Sequence, residues 1–118
     1  MARTREIWVG AAVVAASAAL AAASHHANAD TRVRKDREIV ETAAGGLSYQ
    51  AINDAWIQTI LANPAPLRAI TSTVPLRYVA AHEQAGTVVI LTFAAHRSTC
   101  IDLISSPFAN TVRTRHGC

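Results

Sequence analysis

The chain has 118 residues, with 11 Lys and Arg against 8 Asp and Glu, a net charge of +3 with His neutral, and 51% hydrophobic side chains. That length holds one small domain and leaves no room for a second. So mild a positive balance, interleaved with carboxylates, argues against the lopsided basic face of a nucleic-acid binder.

Residues 1–29 read as an address. Arg3 and Arg5 give a positive start, Ile7 to Ser24 runs without a charge, and Ala27-Asn28-Ala29 is a small-x-small triplet before Asp30. This is the layout of a secretory signal peptide cleaved after Ala29. An uncleaved membrane tether is the competing reading, but the run is short and alanine gains little from entering lipid. No cysteine follows it, so a lipoprotein attachment is not supported. Removing 29 of 118 residues leaves 89, residues 30–118, as a single small exported domain. Arg3, Arg5 and Glu6 go with the leader, and the net charge falls from +3 to +2. The expected location is secreted or periplasmic.

Asp30 to Ala44 is charged, with Val33, Ile39, Val40 and Ala43 as its apolar members, and Gly45-Gly46 stops it as glycine does past a helix end. Arg34 with Glu38, and Arg37 with Glu41, are four apart and pair along one helix face. The basic run from Arg32 to Arg37 therefore reads as a solvated helix face. Leu47 to Asn63 is the strongest helix. Ser48 caps it, and Leu47 with Ile52 is spaced as a hydrophobic staple. Tyr49, Ile52, Trp56, Ile57, Ile60 and Leu61 form its apolar stripe, which Pro64 ends. A short helical turn over Leu67–Thr71, with Pro66 at its start, is expected in the connection that follows.

From Leu76 the texture changes to strand. Leu76–His82, Thr87–Ala95 and Thr99–Ser105 are the three runs, separated by short polar breaks that imply an antiparallel meander. The middle run has two apolar faces and reads as the central strand. The expected fold is α+β: two N-terminal helices packed on a three-stranded antiparallel β-meander, with a C-terminal tail from Thr111 to Gly117 tied by a disulfide. Cys100 and Cys118 are the only cysteines. In an oxidising compartment an even pair in a small domain is most simply a bridge, worth about 3 kcal/mol at this loop length.

The chemistry-bearing residues gather near that bridge. His82 and His96 end different strands, about 30 Å apart at 3.3 Å per residue, and cannot share a metal. A turn at Arg97-Ser98-Thr99 sets His96 opposite Cys100, and the bridge brings His116 into the same neighbourhood. The candidate binding patch is therefore His96, Arg97, Arg113, Arg115 and His116, an anion-binding or pH-sensitive surface. Only with reduced cysteines would Cys100, Cys118, His96 and His116 make a zinc set, at a spacing that fits no common finger. Asp102, expected beside Phe93 or Ala94, is either an acid of raised pKa or an edge charge against aggregation.

No catalytic signature is present: no Gly-x-Ser-x-Gly, Cys-x-x-Cys, His-Glu-x-x-His or phosphate-binding loop. His96, Ser98 and Asp102 are adjacent types only, and no catalytic residue, cofactor or metal is expected. The reading is an exported protein-interaction module of accessory, inhibitor or immunity type, without catalytic activity. Its expected partner is another extracytoplasmic protein, not nucleic acid, with membrane contact only through an uncleaved leader. The alternative is a small-ligand or metal carrier using the His96/His116 end.

Overall fold

The computed structural model describes residues 30–118, so the expected leader, residues 1–29, lies outside the described residues. Three helices are followed by four strands: α1 over residues 30–45, α2 Tyr49–Ile60, α3 Ala65–Thr71, β1 Arg77–Gln84, β2 Val88–Ala94, β3 Thr99–Ser105 and β4 Asn110–His116. The strands form one antiparallel sheet in the order β1-β2-β3-β4. The α+β class and the meander are as expected from sequence. The counts are not: four strands replace three because the segment read as a tail is β4, and three helices replace two because the short turn expected over Leu67–Thr71 is a helix in its own right, Ala65–Thr71.

All three helices pack on one face of this sheet. Val40 and Ala44 from α1, Ile52 and Ala55 from α2 and Leu67 from α3 join Val89, Leu91, Phe93, Ile101 and Leu103 in one core. These strand residues alternate in sequence, and the period of two puts them on the same side. The core explains how β4 forms with so few apolar residues. Val112 alone packs against it from that strand, while the ladder to β3 satisfies the backbone. Pairing needs hydrogen-bonding partners more than it needs apolar side chains at an edge.

Local signals worked where the chemistry is local. The Ser48 hydroxyl accepts from the Ala51 amide at 3.1 Å and starts α2. Arg37 and Glu41 pair at 2.8 Å along α1. The expected α2 stripe is rotated: Ile52 and Ala55 are buried, whereas Ile57, Ile60 and Leu61 stay exposed. The helix also stops before Asn63, because Ala62 turns left-handed (φ 66°) and the Asn63 amide reaches back to the Gln58 carbonyl. Glycine normally takes that position, so nothing nearer than Pro64 announced the stop. In β1 an extra residue, Val79, bulges between the pairs Tyr78–Phe93 and Ala80–Thr92. The bulge keeps Tyr78 in edge contact with Phe93, ring centroids 6.0 Å apart.

Among the described residues, no helix is long and apolar enough to cross a membrane.

Candidate binding site at the cationic end of the sheet

The β2–β3 turn ends the sheet on the side where β1 begins and β4 finishes. Its geometry comes from two backbone positions. The Thr99 amide donates to the His96 carbonyl at 3.2 Å, and the residues between, Arg97 and Ser98, have φ of 55° and 53°. Two consecutive positive φ values are what a tight hairpin turn demands, usually from Asn-Gly. Arg-Ser carries a steric cost there, of the kind that persists only where the surroundings over-determine it.

Three contacts do so. Asp36 on α1 accepts from the His96 amide at 3.0 Å and lies 2.6 Å from His96 Nδ1. The Gly117 amide donates to the Ser98 carbonyl at 2.8 Å. Cys100 and Cys118 are joined, with Cα atoms 5.6 Å apart, closing an 18-residue separation. Such a bridge is consistent with an oxidising extracytoplasmic environment. Asp36 was missed in the sequence. Its spacing from Val33 and Val40 places it on the buried side of α1, where an aspartate needs a partner. A carboxylate oxygen accepts, so His96 Nδ1 is the donor in this contact; the His96 side chain is half exposed and that of Asp36 is buried.

On the opposite face of the sheet lies a second buried carboxylate. Asp102 stands across from Thr92, not Phe93 or Ala94, and across from Arg113 on its other side. Its Oδ1 accepts from Thr92 Oγ1 at 2.7 Å and Arg115 Nη2 at 3.2 Å. Its Oδ2 accepts from Arg113 Nη2 at 2.7 Å and Arg115 Nε at 2.6 Å. No solvent reaches the aspartate, which sits under a single layer of half-exposed arginine side chains. Burial pushes its carboxyl up. The hydrogen bonds from Arg115, Thr92 and Arg113, with the Arg115 charge, outweigh that and hold it below the usual carboxylate range. Asp102 is therefore neither a raised-pKa acid nor an edge charge: β3 is an inner strand and the group is ionised and fully bonded.

The five patch residues all lie toward this end, but the register divides them. Cys100 pairs with Ala94, not His96, so His96 falls in the turn and leans to the helix side on Asp36. Arg113 and Arg115 lie over Asp102 on the other face, His116 stands opposite Thr99, and Arg97 is exposed at the turn tip. Arg77, unremarked in the sequence, joins them, because Arg77, Ala94, Cys100 and Arg115 form one row across the sheet. His82, paired with Ile90, is toward the far end. Among the described residues, no group of three His, Cys, Asp or Glu side chains is placed to hold a metal ion. Among the described residues, one open groove on the helix layer is lined by Ile39, Ala43 and Pro75 and another by Ala55, Ile57 and Ile70; neither includes His96 or Asp102.

No protein-family model, curated protein or solved structure matches this chain.

Proposed function

We propose that this chain is an exported protein-interaction module without catalytic activity, which docks through its cationic end on an acidic surface of another extracytoplasmic protein. The observation that carries the reading is a charge concentration. Arg77, Arg97, Arg113 and Arg115 gather at one end of the sheet, and among the described residues Asp102 is the one carboxylate paired with any of them, while Asp36 is taken up by His96. Asp102 holds two guanidiniums in fixed positions. Arg77 and Arg97 enter no ion pair among the described residues. Arg113 and Arg115 spend their Nε/Nη2 forks on Asp102, so the unpaired guanidiniums of Arg77 and Arg97 are the ones offered to a carboxylate, and an unbalanced patch steers encounter with an acidic partner. The disulfide supports an oxidising working compartment, which agrees with the leader-like residues 1–29.

The test is a pull-down from the extracytoplasmic fraction with the wild-type chain beside an Arg77→Glu/Arg97→Glu variant. A protein captured by the first, lost with the second and released by moderate salt is the expected result. Equal capture by both, with the fold of both intact, removes the cationic end as the docking surface. Mass analysis of the native N-terminus tests export: Asp30 is expected as the first residue, and an intact Met1 overturns cleavage.

A further inference from the structure

Among the described residues, β4 pairs with β3 on one side and with no strand on the other. The direction of its backbone groups is fixed by the two ends of the ladder. The Gly117 amide donates to the Ser98 carbonyl at 2.8 Å, and the Ser106 amide donates to the Ala109 carbonyl at 3.0 Å. Odd-numbered positions of β4 therefore bond to β3. Main-chain groups alternate in direction along such a strand, so those of Val112, Thr114 and His116 point away from the sheet. One of them is covered: Arg37 Nη2 on α1 donates to the Val112 carbonyl at 3.1 Å. Among the described residues, the N–H and C=O of Thr114 and of His116 have no partner along this edge.

Both faces beside the edge are cationic. Arg113 and Arg115 lie on the far face, where Asp102 balances one of their two charges. On the other face α1 runs alongside β4. Asn110 Nδ2 donates to the carbonyls of Ala44, at 3.3 Å, and Leu47, at 2.8 Å, while Asp36 holds His96 at the opposite end. Arg37 lies between these fastenings, and Arg34 is one turn nearer the cationic end on the same helix face. Arg37 is answered by Glu41, whereas Arg34 enters no ion pair among the described residues. The other edge of the sheet differs: β1 is interrupted by the bulge at Val79 and carries Glu83.

We infer that an extended acidic segment of the partner protein adds to the sheet as a further strand, along Val112–His116 of β4. The inference rests on the reading of the cationic end as the docking surface and names how the partner is held there. Unpaired strand donors and acceptors are matched by another strand, and the alternate side chains of that strand fall on the two faces. Its carboxylates then meet Arg34 and Arg37 on one face and the surplus charge of Arg113 and Arg115 on the other. Arg37 gives up the Val112 carbonyl to a strand amide and keeps Glu41, so that acceptor stays satisfied. A second copy of this chain is disfavoured as the occupant. Two β4 strands overlapping at residues 112–116 would bring their arginines together, and like charges across a strand pair repel.

The test uses the native chain with a short peptide alternating glutamate and valine, the same peptide methylated at every main-chain nitrogen, and a lysine–valine counterpart. The glutamate peptide should bind at least tenfold more tightly than either control at low salt. At saturation it should slow amide hydrogen exchange of Thr114 and His116 at least tenfold. Arg113 and Arg115, whose amides already bond to β3, should change little. Thr114→Pro should weaken the peptide at least tenfold, because it removes an outward N–H that the β3 ladder does not use. The methylated peptide makes the same test on the unaltered chain. Equal binding of the methylated peptide, or slowed exchange without that alternation, overturns strand addition and leaves acidic docking standing. Equal binding of the lysine peptide counts against the cationic end and the inference together. Absence of glutamate-peptide binding overturns the inference, as does protection of Thr114 and His116 that rises with chain concentration alone, the mark of a second copy.

Discussion

The two ends of the sheet solve the same problem by different means. At one end the β2–β3 turn forces Arg97 and Ser98 into positive φ and relies on a buried carboxylate, a carbonyl clasp to Gly117 and a disulfide to keep them there. At the other, the β3–β4 turn is closed by a serine hydroxyl and tethered by one asparagine, all neutral groups. The contrast teaches where each kind of support belongs. A strained, charged end needs strong or covalent constraint, because its arginines repel and its backbone resists. A relaxed, neutral end needs only satisfied donors and acceptors.

Removing the constraints at the cationic end should therefore cost more than removing them at the neutral end. The largest effect is expected from Cys100→Ser/Cys118→Ser, a loss of about 3 kcal/mol from the loop-closure contribution, read by urea unfolding of variant and wild type. Reduction of the wild type should lower its melting temperature equivalently. An unchanged midpoint would show that β4 holds this end unaided.

Asp102→Asn comes next, at about 2 kcal/mol, since it leaves two guanidiniums short of a counter-charge although both are half exposed and partly screened. The same group sets an acid limb. Its folded-state pKa is depressed, so its stabilisation is complete at neutral pH, above the ionisation of the unfolded carboxyl. It declines as pH falls through the ordinary carboxylate range towards the folded value, because the unfolded chain takes up the proton first. Unfolding free energy measured from pH 7 down to pH 2 should fall less steeply in Asp102→Asn than in wild type.

Asp36→Ala follows, at about 1–2 kcal/mol, by depriving the His96 amide and ring of their acceptor. Amide hydrogen exchange at His96 and Thr99 should accelerate, and Ser106 should be unaffected. At the neutral end, Asn110→Ala should cost about 1 kcal/mol and loosen only the β3–β4 turn, seen as faster exchange at Ser106. The smallest effect has the opposite sign. Ser98→Gly should raise stability by about 0.5 kcal/mol in thermal unfolding, because glycine adopts φ of 53° without the Cβ clash.

Much of the fold was readable from short-range pattern. The bounds of β3 match Thr99–Ser105, the alternation in β2 separates core residues from those on the far face, and Ser48 caps α2 as its hydroxyl and position suggested. Where the reading slipped, a distant partner decided the outcome. β4 is a strand because β3 offers it an unpaired ladder, and Asn110–His116 carries no hydrophobic period of its own to announce that. The α2 stripe rotated because α3 and the sheet cover Ile52 and Ala55, leaving Ile57, Ile60 and Leu61 outside. Of the candidate site, the gathering of His96, Arg97, Arg113, Arg115 and His116 at one end followed from the bridge between Cys100 and Cys118. Their division between two faces did not, since a shift in register moves side chains from one face to the other.

By itself the sequence determined the α+β class, the cysteine pair, the helix cap at Ser48 and the meander, because each rests on spacing between near neighbours or on a count. Tertiary structure alone decided that Asp36 would hold His96 sixty residues away, that Asp102 would lie beneath two arginines, and that Phe108 would stand in solvent. Those outcomes depend on which strand edges and helix faces meet. Desolvation and hydrogen-bond satisfaction are settled only when distant parts of the chain close over the same atoms.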